Sequence, residues 1–331
     1  MMITTENRTS MKQNFKIVFM GTPDFAVPVL QMLIDEKYDV AAVFTQPDRK
    51  AGRGHKELPP PVKVLAQQYG VPVFQFEKVS KPEGAAALRE LRPDLMVTAA
   101  YGHILSEEIL AIPQYGCINV HASLLPKLRG AAPIQWAIIN GEKKTGVTTM
   151  YTVRALDAGD ILEQEETDIS DDMTAGELYH VLSGMGAQVL KRTLEKLADG
   201  SLVRVPQNEA DATYFPMFKK GFGEIDFCCP SAEIVNFIRG TNPVPGAYMR
   251  YGEEKIKVFF AAAVEYHGAE RCGTVIFADD KQGLGIKTKD GLVLIKEMQR
   301  QGGKRMSTKD SLRGKKIEAG YVFLKKEEED H

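Results

Sequence analysis

The chain has 331 residues, 44% hydrophobic and 26% charged, which fits a folded protein of about two domains and excludes a disordered, collagen-like or small disulfide-rich chain. Its 42 Lys and Arg nearly balance 44 Asp and Glu, so any nucleic-acid surface must be local. No apolar run approaches the ~20 residues that cross a bilayer, and the polar opening MMITTENRTS predicts no secretory leader. Cys117, Cys228, Cys229 and Cys272 show no C-x-x-C spacing, which predicts reduced thiols, no metal site and a cytoplasmic setting.

Residues 1–14 are set aside as an N-terminus that is either disordered or not native to the protein. Six apolar runs then follow: Lys16–Met20, Val40–Thr45, Val71–Phe74, Leu95–Ala100, Cys117–Val120 and Gly146–Tyr151. Continuous apolar runs suit strands buried on both faces, and their alternation with helical patterns predicts βαβ units and a mostly parallel α/β sheet with helices on both faces. Asp24–Lys37 is the first expected helix, with Asp24 as cap and Pro28 in the first turn. Asp171–Gly200 is a long helix opened by a Thr174–Glu177 capping box and stopped by Asp199-Gly200.

Composition changes after Gly200. Residues 201–223, with Pro206, Pro216, Gly221 and Gly223, read as a linker. A short helix, Ser231–Gly240, precedes five short β-type runs: Tyr248–Tyr251, Lys255–Ala261, Gly273–Phe277, Gly285–Lys287 and Gly291–Glu297. Short strands with tight turns predict a small C-terminal β-barrel of OB type. The expected layout is therefore a first domain over 15–200, a linker over 201–223, a second domain over 224–326 and an acidic tail over 327–331.

Phe19-Met20-Gly21-Thr22-Pro23-Asp24 stands where a dinucleotide-binding chain carries three glycines. Only Gly21 is present, so close approach of a pyrophosphate is disfavoured. The informative stretch is Gly116–Pro133, GCINVHASLLPKLRGAAP. Asn119 and His121 stand two apart at the carboxyl end of a predicted strand, so both project to one face. Ligands of open α/β sheets bind beyond that end. Singly, such an Asn is ordinarily a turn former and such a His a structural residue; their pairing raises both. The loop from Ser123 to Gly130 is expected to leave backbone N–H and C=O groups free for a planar ligand.

VFMGTPDFAVPVL (Val18–Leu30), VFTQPDRKAGRG (Val43–Gly54), AAYGHIL (Ala99–Leu105), CINVHASLLPKLRGAAPIQWAI (Cys117–Ile138), TGVTTM (Thr145–Met150) and LDAGDIL (Leu156–Leu162) occur in that order. With these segments the chain resembles the methionyl-tRNA formyltransferase family. A weaker likeness continues through GKRMSTKDSLRGKKIEAGYVF (Gly303–Phe323). The Asn-x-His and SLLP pieces mark folate-dependent formyltransferases in general. The resemblance implies a Rossmann-like formyltransferase sheet and a catalytic set of Asn119, His121 and Asp157. It also implies a folate site at Ser123, Leu124, Leu125, Pro126, Ile104 and Leu105.

The implied reaction moves a formyl group from 10-formyltetrahydrofolate, a co-substrate, to the α-amine of methionyl initiator tRNA, in support of translation initiation. It needs no metal and no covalent enzyme intermediate. Negative charge grows on the formyl oxygen, and Asn119 and His121 are the donors assigned to it. Asp157 either orients His121 and favours its charged form or helps remove the amine proton.

Residues 45–63 form a long basic Gly/Pro-rich loop, and the resemblance assigns Arg49, Arg53 and Lys56 to the tRNA acceptor end. Residues 296–326 hold ten Lys or Arg against three acids, an asymmetry that suits phosphate contacts by Lys304 and Arg305. A monomer without membrane association is expected. The competing readings are a formyltransferase acting on a small amine, such as glycinamide ribonucleotide or an amino sugar nucleotide, and a non-catalytic RNA-binding protein.

Overall fold

A computed structural model of the chain describes residues 15–51, 56–219 and 221–325. The expectations for residues 1–14, 327–331 and Arg53 lie outside the described residues. The chain divides into two compact units. The first runs to Gly130 and adds Thr145–Thr167 and Tyr179–Phe215; the second comprises Ala131–Lys144, Asp168–Leu178 and the chain from Pro216 onward.

In chain order the elements up to the site are β1 Lys16–Gly21, α1 Val27–Asp35, β2 Asp39–Thr45, β3 Arg49–Ala51, β4 Lys56–Leu58, α2 Pro61–Gln68, β5 Val73–Gln75, α3 Pro82–Leu91, β6 Leu95–Ala99, α4 Glu107–Leu110 and β7 Cys117–His121. Then come β8 Arg129–Gly130, α5 Pro133–Ile139, β9 Lys144–Tyr151, β10 Ile161–Asp168, α6 Ala175–Asp199 and β11 Tyr214–Phe215. The first unit is built on a seven-stranded sheet ordered β10-β9-β7-β6-β1-β2-β5. The pairs from β5 through β7 are parallel, and β9 runs antiparallel on β7. The mostly parallel sheet read from the apolar runs is thus present.

Its strands are buried because they are apolar on both faces: Ile17, Val18, Phe19 and Met20 of β1 are all fully buried. Val18, Met20, Phe44, Leu88 and Met96 share one core cluster. Gly21 is required by close packing: a Cβ there would lie 2.7 Å from Ala26 Cβ and 3.1 Å from the Ala99 carbonyl oxygen.

Two local expectations are corrected. Asp24 does not cap the first α-helix; it opens a 3-10 turn over Asp24–Ala26, and α1 starts only at Val27 with Pro28 in its first turn. β10 was not expected from the sequence. By contrast, the capping box at α6 forms: Thr174 N donates to Glu177 Oε2 at 2.8 Å, and Glu177 N to Thr174 Oγ1 at 3.3 Å.

The second unit holds α5, then α7 Ser231–Gly240, β12 Ala247–Tyr251, β13 Glu254–Val264, β14 Val275–Asp279, β15 Gly283–Lys287, β16 Leu292–Gln299, β17 Met306–Ser307 and α8 Thr308–Gly314. All five expected β runs are strands of one antiparallel sheet ordered β12-β13-β16-β15-β14, with β17 added on β16. Helix α7 packs on β13 and on α5. Ile234 and Ile238 carry its apolar face into a core with Met249, Ile256, Val293 and Ile295. No helix among the described residues is long and apolar enough to cross a membrane.

Candidate active site

Strand β7 extends to His121, so Asn119 and His121 both lie in regular strand and share a face. The parallel register sets Thr98 of β6 beside Asn119. Thr98 Oγ1 donates to Asn119 Oδ1 at 2.8 Å. That bond fixes the amide orientation and turns Nδ2, a donor, away from Thr98. Nδ2 makes no hydrogen bond among the described residues.

His121 is 7% exposed. Its Nε2 lies 3.1 Å from the Leu128 carbonyl oxygen. A carbonyl only accepts, so the proton is assigned to Nε2. Nδ1 is then the nitrogen that exchanges a proton, and it faces Asp157 Oδ1 at 3.9 Å. The other carboxylate oxygen of Asp157 accepts from Gly130 N at 2.8 Å.

Asp157 has φ +49°, the left-handed region that an L-residue adopts only at a cost. Leu128 (φ +59°) and Gly130 (φ +96°) share this conformation, and such residues cluster where surroundings over-determine the backbone. Gly159, two residues on, has no room for a side chain: a Cβ would fall 1.7 Å from the Tyr151 carbonyl oxygen.

The loop after β7 corrects one expectation. Much of its backbone is already engaged, chiefly by side chains outside the loop, instead of being left open. Thr148 Oγ1 donates to Ser123 O (2.7 Å) and accepts from Leu125 N (3.2 Å), while Gln164 Nε2 donates to Leu125 O (2.9 Å). Ser123 Oγ closes on Lys127 O at 2.8 Å, and Leu128 N donates to Thr213 Oγ1 at 2.8 Å. Ser123 and Leu125 are buried, whereas Leu124 and Pro126 are half-buried. Leu105 is buried and Ile104 is 85% exposed. Close to Ile104, His103 Nδ1 is buried without a hydrogen-bond partner. Burial and, after it, nearby Arg49 lower the His103 pKa.

Part of the basic loop is a short ribbon in which β3 and β4 pair antiparallel, Arg49 opposite Leu58 and Ala51 opposite Lys56. Arg49 is exposed and donates to Gln46 Oε1 at 2.7 Å. Lys304 is exposed and makes no hydrogen bond or ion pair among the described residues. Arg305 is exposed, pairs with Glu297 and lies 4.4 Å from the Phe259 ring centroid.

Sequence reasoning missed Thr98, which a parallel neighbour supplies, and a buried polar group behind Asp157. Arg129 is fully buried, and Gln207 and Glu209 reach it from 78 and 80 residues away. Only a folded register reveals such partners.

An amide donor and an imidazole thus stand at the carboxyl end of a parallel strand, with a carboxylate facing the imidazole. Residues 15–194 match the family model described as formyl transferase, and residues 217–316 match its C-terminal domain. The methionyl-tRNA formyltransferase of Ruminiclostridium cellulolyticum is 50% identical over 307 residues, covering 92% of this chain and 98% of that protein. That of Acetivibrio thermocellus is 50% identical over 308 residues, covering 93% and 99%. The chain belongs to the methionyl-tRNA formyltransferase family.

Solved structures share the fold. An N-formyltransferase from Helicobacter canadensis, in complex with folinic acid and dTDP-3-aminofucose, superposes with a TM-score of 0.63 at 20% identity, over 88% of this chain and all of that one (100%). HypX from Aquifex aeolicus in complex with tetrahydrofolic acid gives a TM-score of 0.58 at 18% identity, over 90% of this chain and 47% of that one.

Proposed function

We propose that Asn119, His121 and Asp157 perform the formyl transfer to methionyl-tRNA that marks this family, with 10-formyltetrahydrofolate as donor. The observation that carries this reading is the convergence of His121 Nδ1 on Asp157 at 3.9 Å, on the strand face that also presents Asn119. The donor supplies a formyl carbon bound to nitrogen, and its flat ring has a polar edge. The exposed Ile104 side chain and the unpartnered His103 Nδ1 suit an apolar face and a polar edge, respectively.

Asn119 Nδ2 donates to the formyl oxygen as charge grows on it. A donor aimed in this way contributes about 2.7–4 kcal/mol. His121 Nε2 is engaged by Leu128 O, so His121 is reassigned from donor on the formyl oxygen to proton carrier: Nδ1 takes the amine proton as the new C–N bond forms and returns it to the folate nitrogen as the old C–N bond breaks. Asp157 Oδ1 faces His121 Nδ1 at 3.9 Å and holds the imidazole in position. The half-buried Leu124 and Pro126, with Ile104, flank the folate; Ser123, Leu125 and Leu105 shape the wall from behind.

Arg49, Arg53, Lys56, Lys304 and Arg305 are assigned to tRNA phosphates, which position the nucleic acid without reading its sequence. Lys304, unengaged, is the more available of the last two. Initiator tRNA is the acceptor assigned. The test is transfer from 10-formyltetrahydrofolate to charged initiator tRNA by His121→Ala. Loss of turnover with tRNA binding kept is expected. Undiminished transfer, or transfer only to small amines by the unaltered protein, overturns the reading.

A further inference from the structure

We propose that Gln207 and Arg129 are positioning residues that hold Asp157 in its left-handed conformation, so that its carboxylate faces His121. This rests on the role given to Asp157 above. Gln207 Nε2 donates to two carbonyl oxygens of the same turn, Asp157 O at 2.8 Å and Gly159 O at 2.7 Å. Gln207 Oε1 accepts from Arg129 Nε at 3.0 Å and Nη2 at 2.8 Å. A guanidinium only donates and a carbonyl only accepts, so the amide has one workable orientation. Its two ends are not interchangeable.

Arg129 itself is buried and needs charge compensation. Glu209 supplies it through both oxygens, at 2.8 and 3.0 Å, and the Tyr214 hydroxyl accepts at 2.5 Å. The pairing of β8 with β11 sets Arg129 opposite Tyr214 and Gly130 opposite Phe215. Gly130, the next residue, gives its N–H to Asp157 Oδ2 at 2.8 Å. The turn is therefore held at two points: its carboxylate by the backbone of β8, its carbonyls by a side chain anchored on β8. An L-residue with φ +49° relaxes to negative φ when such contacts are withdrawn, and its carboxylate then swings away from Nδ1.

The discriminating variant is Gln207→Glu. It keeps the length and strengthens the link to Arg129, but it faces two carbonyls with an oxygen. A purely architectural role would show as a lower melting temperature with kcat kept. The proposal expects kcat to fall about 10²-fold, the loss a misplacement of ~1 Å produces, with KM and melting temperature near those of the unaltered protein. In an Asp157→Asn background the same change should cost less than about twofold, because residues acting as one unit are not additive. Arg129→Lys, which keeps the charge for Glu209 but loses the fork to Gln207, should reproduce the kcat-specific loss should Gln207→Glu fold poorly. Gln207→Glu with kcat within twofold of the unaltered protein, or losses that multiply with Asp157→Asn, overturns the proposal. Asp157→Asn at full activity refutes instead the role of Asp157 on which it rests.

Discussion

Replacing Thr98 by Val isolates the orientation of Asn119. The change keeps shape and burial but removes the hydroxyl that donates to Asn119 Oδ1 at 2.8 Å. The amide must still aim Nδ2 at the reacting oxygen, so in every productive complex Oδ1 then faces a methyl group. An unsatisfied acceptor costs about 1–3 kcal/mol when fully sequestered. Asn119 is only half-buried, which favours the lower part of that range, about 1–2 kcal/mol. At 1.36 kcal/mol per factor of ten this lowers kcat about five- to thirtyfold. Asn119→Ala removes the donor altogether and should lower kcat about 10²–10³-fold. Adding Thr98→Val to Asn119→Ala should change little, because the bond has already gone. Initial rates of formyl transfer at saturating tRNA, measured on the two single variants and the double variant, test this. A Thr98→Val enzyme retaining more than half its kcat, or effects that multiply in the double variant, would refute the reasoning.

Three further outcomes are expected. Gly159→Ala places a methyl group 1.7 Å from the Tyr151 carbonyl oxygen; overpacking of this kind costs about 1–3 kcal/mol or more, so the melting temperature should drop by several degrees and transfer should be lost with it. Asp290 accepts from Ser231 N, at the start of α7, at 2.8 Å, and that bond lowers its pKa. A carboxylate with a lowered folded pKa stabilises above its unfolded pKa, about 3.9, and this is lost as pH falls through the folded value. Asp290 is exposed, so screening by solvent keeps the effect small: Asp290→Ala should destabilise by about 0.5–1 kcal/mol at pH 7, and thermal melts should show the gap from the unaltered protein closing toward pH 3. Cys117 is buried on β7, and burial pushes its thiol up to about 11; iodoacetamide at pH 8 followed by peptide mapping should leave it unmodified in the native protein and label it after denaturation.

The parts of the fold that sequence reading recovers are those where residue type decides alone. The apolar runs at Lys16, Leu95 and Cys117 have no alternative to a buried sheet, and Thr174 with Glu177 needs only its own helix. Strand β10 escaped notice because ILEQEETD alternates with carboxylates and lies at the sheet edge, where β propensity is weak evidence. Its acids are paired from α6, Glu165 with Arg192 at 2.6 Å and Glu163 with Lys196, a compensation no local window contains. Asn119 and His121 were visible from their spacing at a strand end. Asp157 came from family likeness, since an Asp before Ala-Gly is otherwise a turn. Which nitrogen of His121 is free, and what steadies Asp157, depend on Leu128 and Gln207 meeting them in space.

The chain passes between its two units five times, at 130, 144, 167, 178 and 215. No single scission yields either unit whole. A chimera that exchanges only the segment after 215 would transplant a β-sheet without α5 and the 168–178 segment belonging to its unit, so grafting a foreign second unit onto this enzyme means exchanging three discontinuous pieces together.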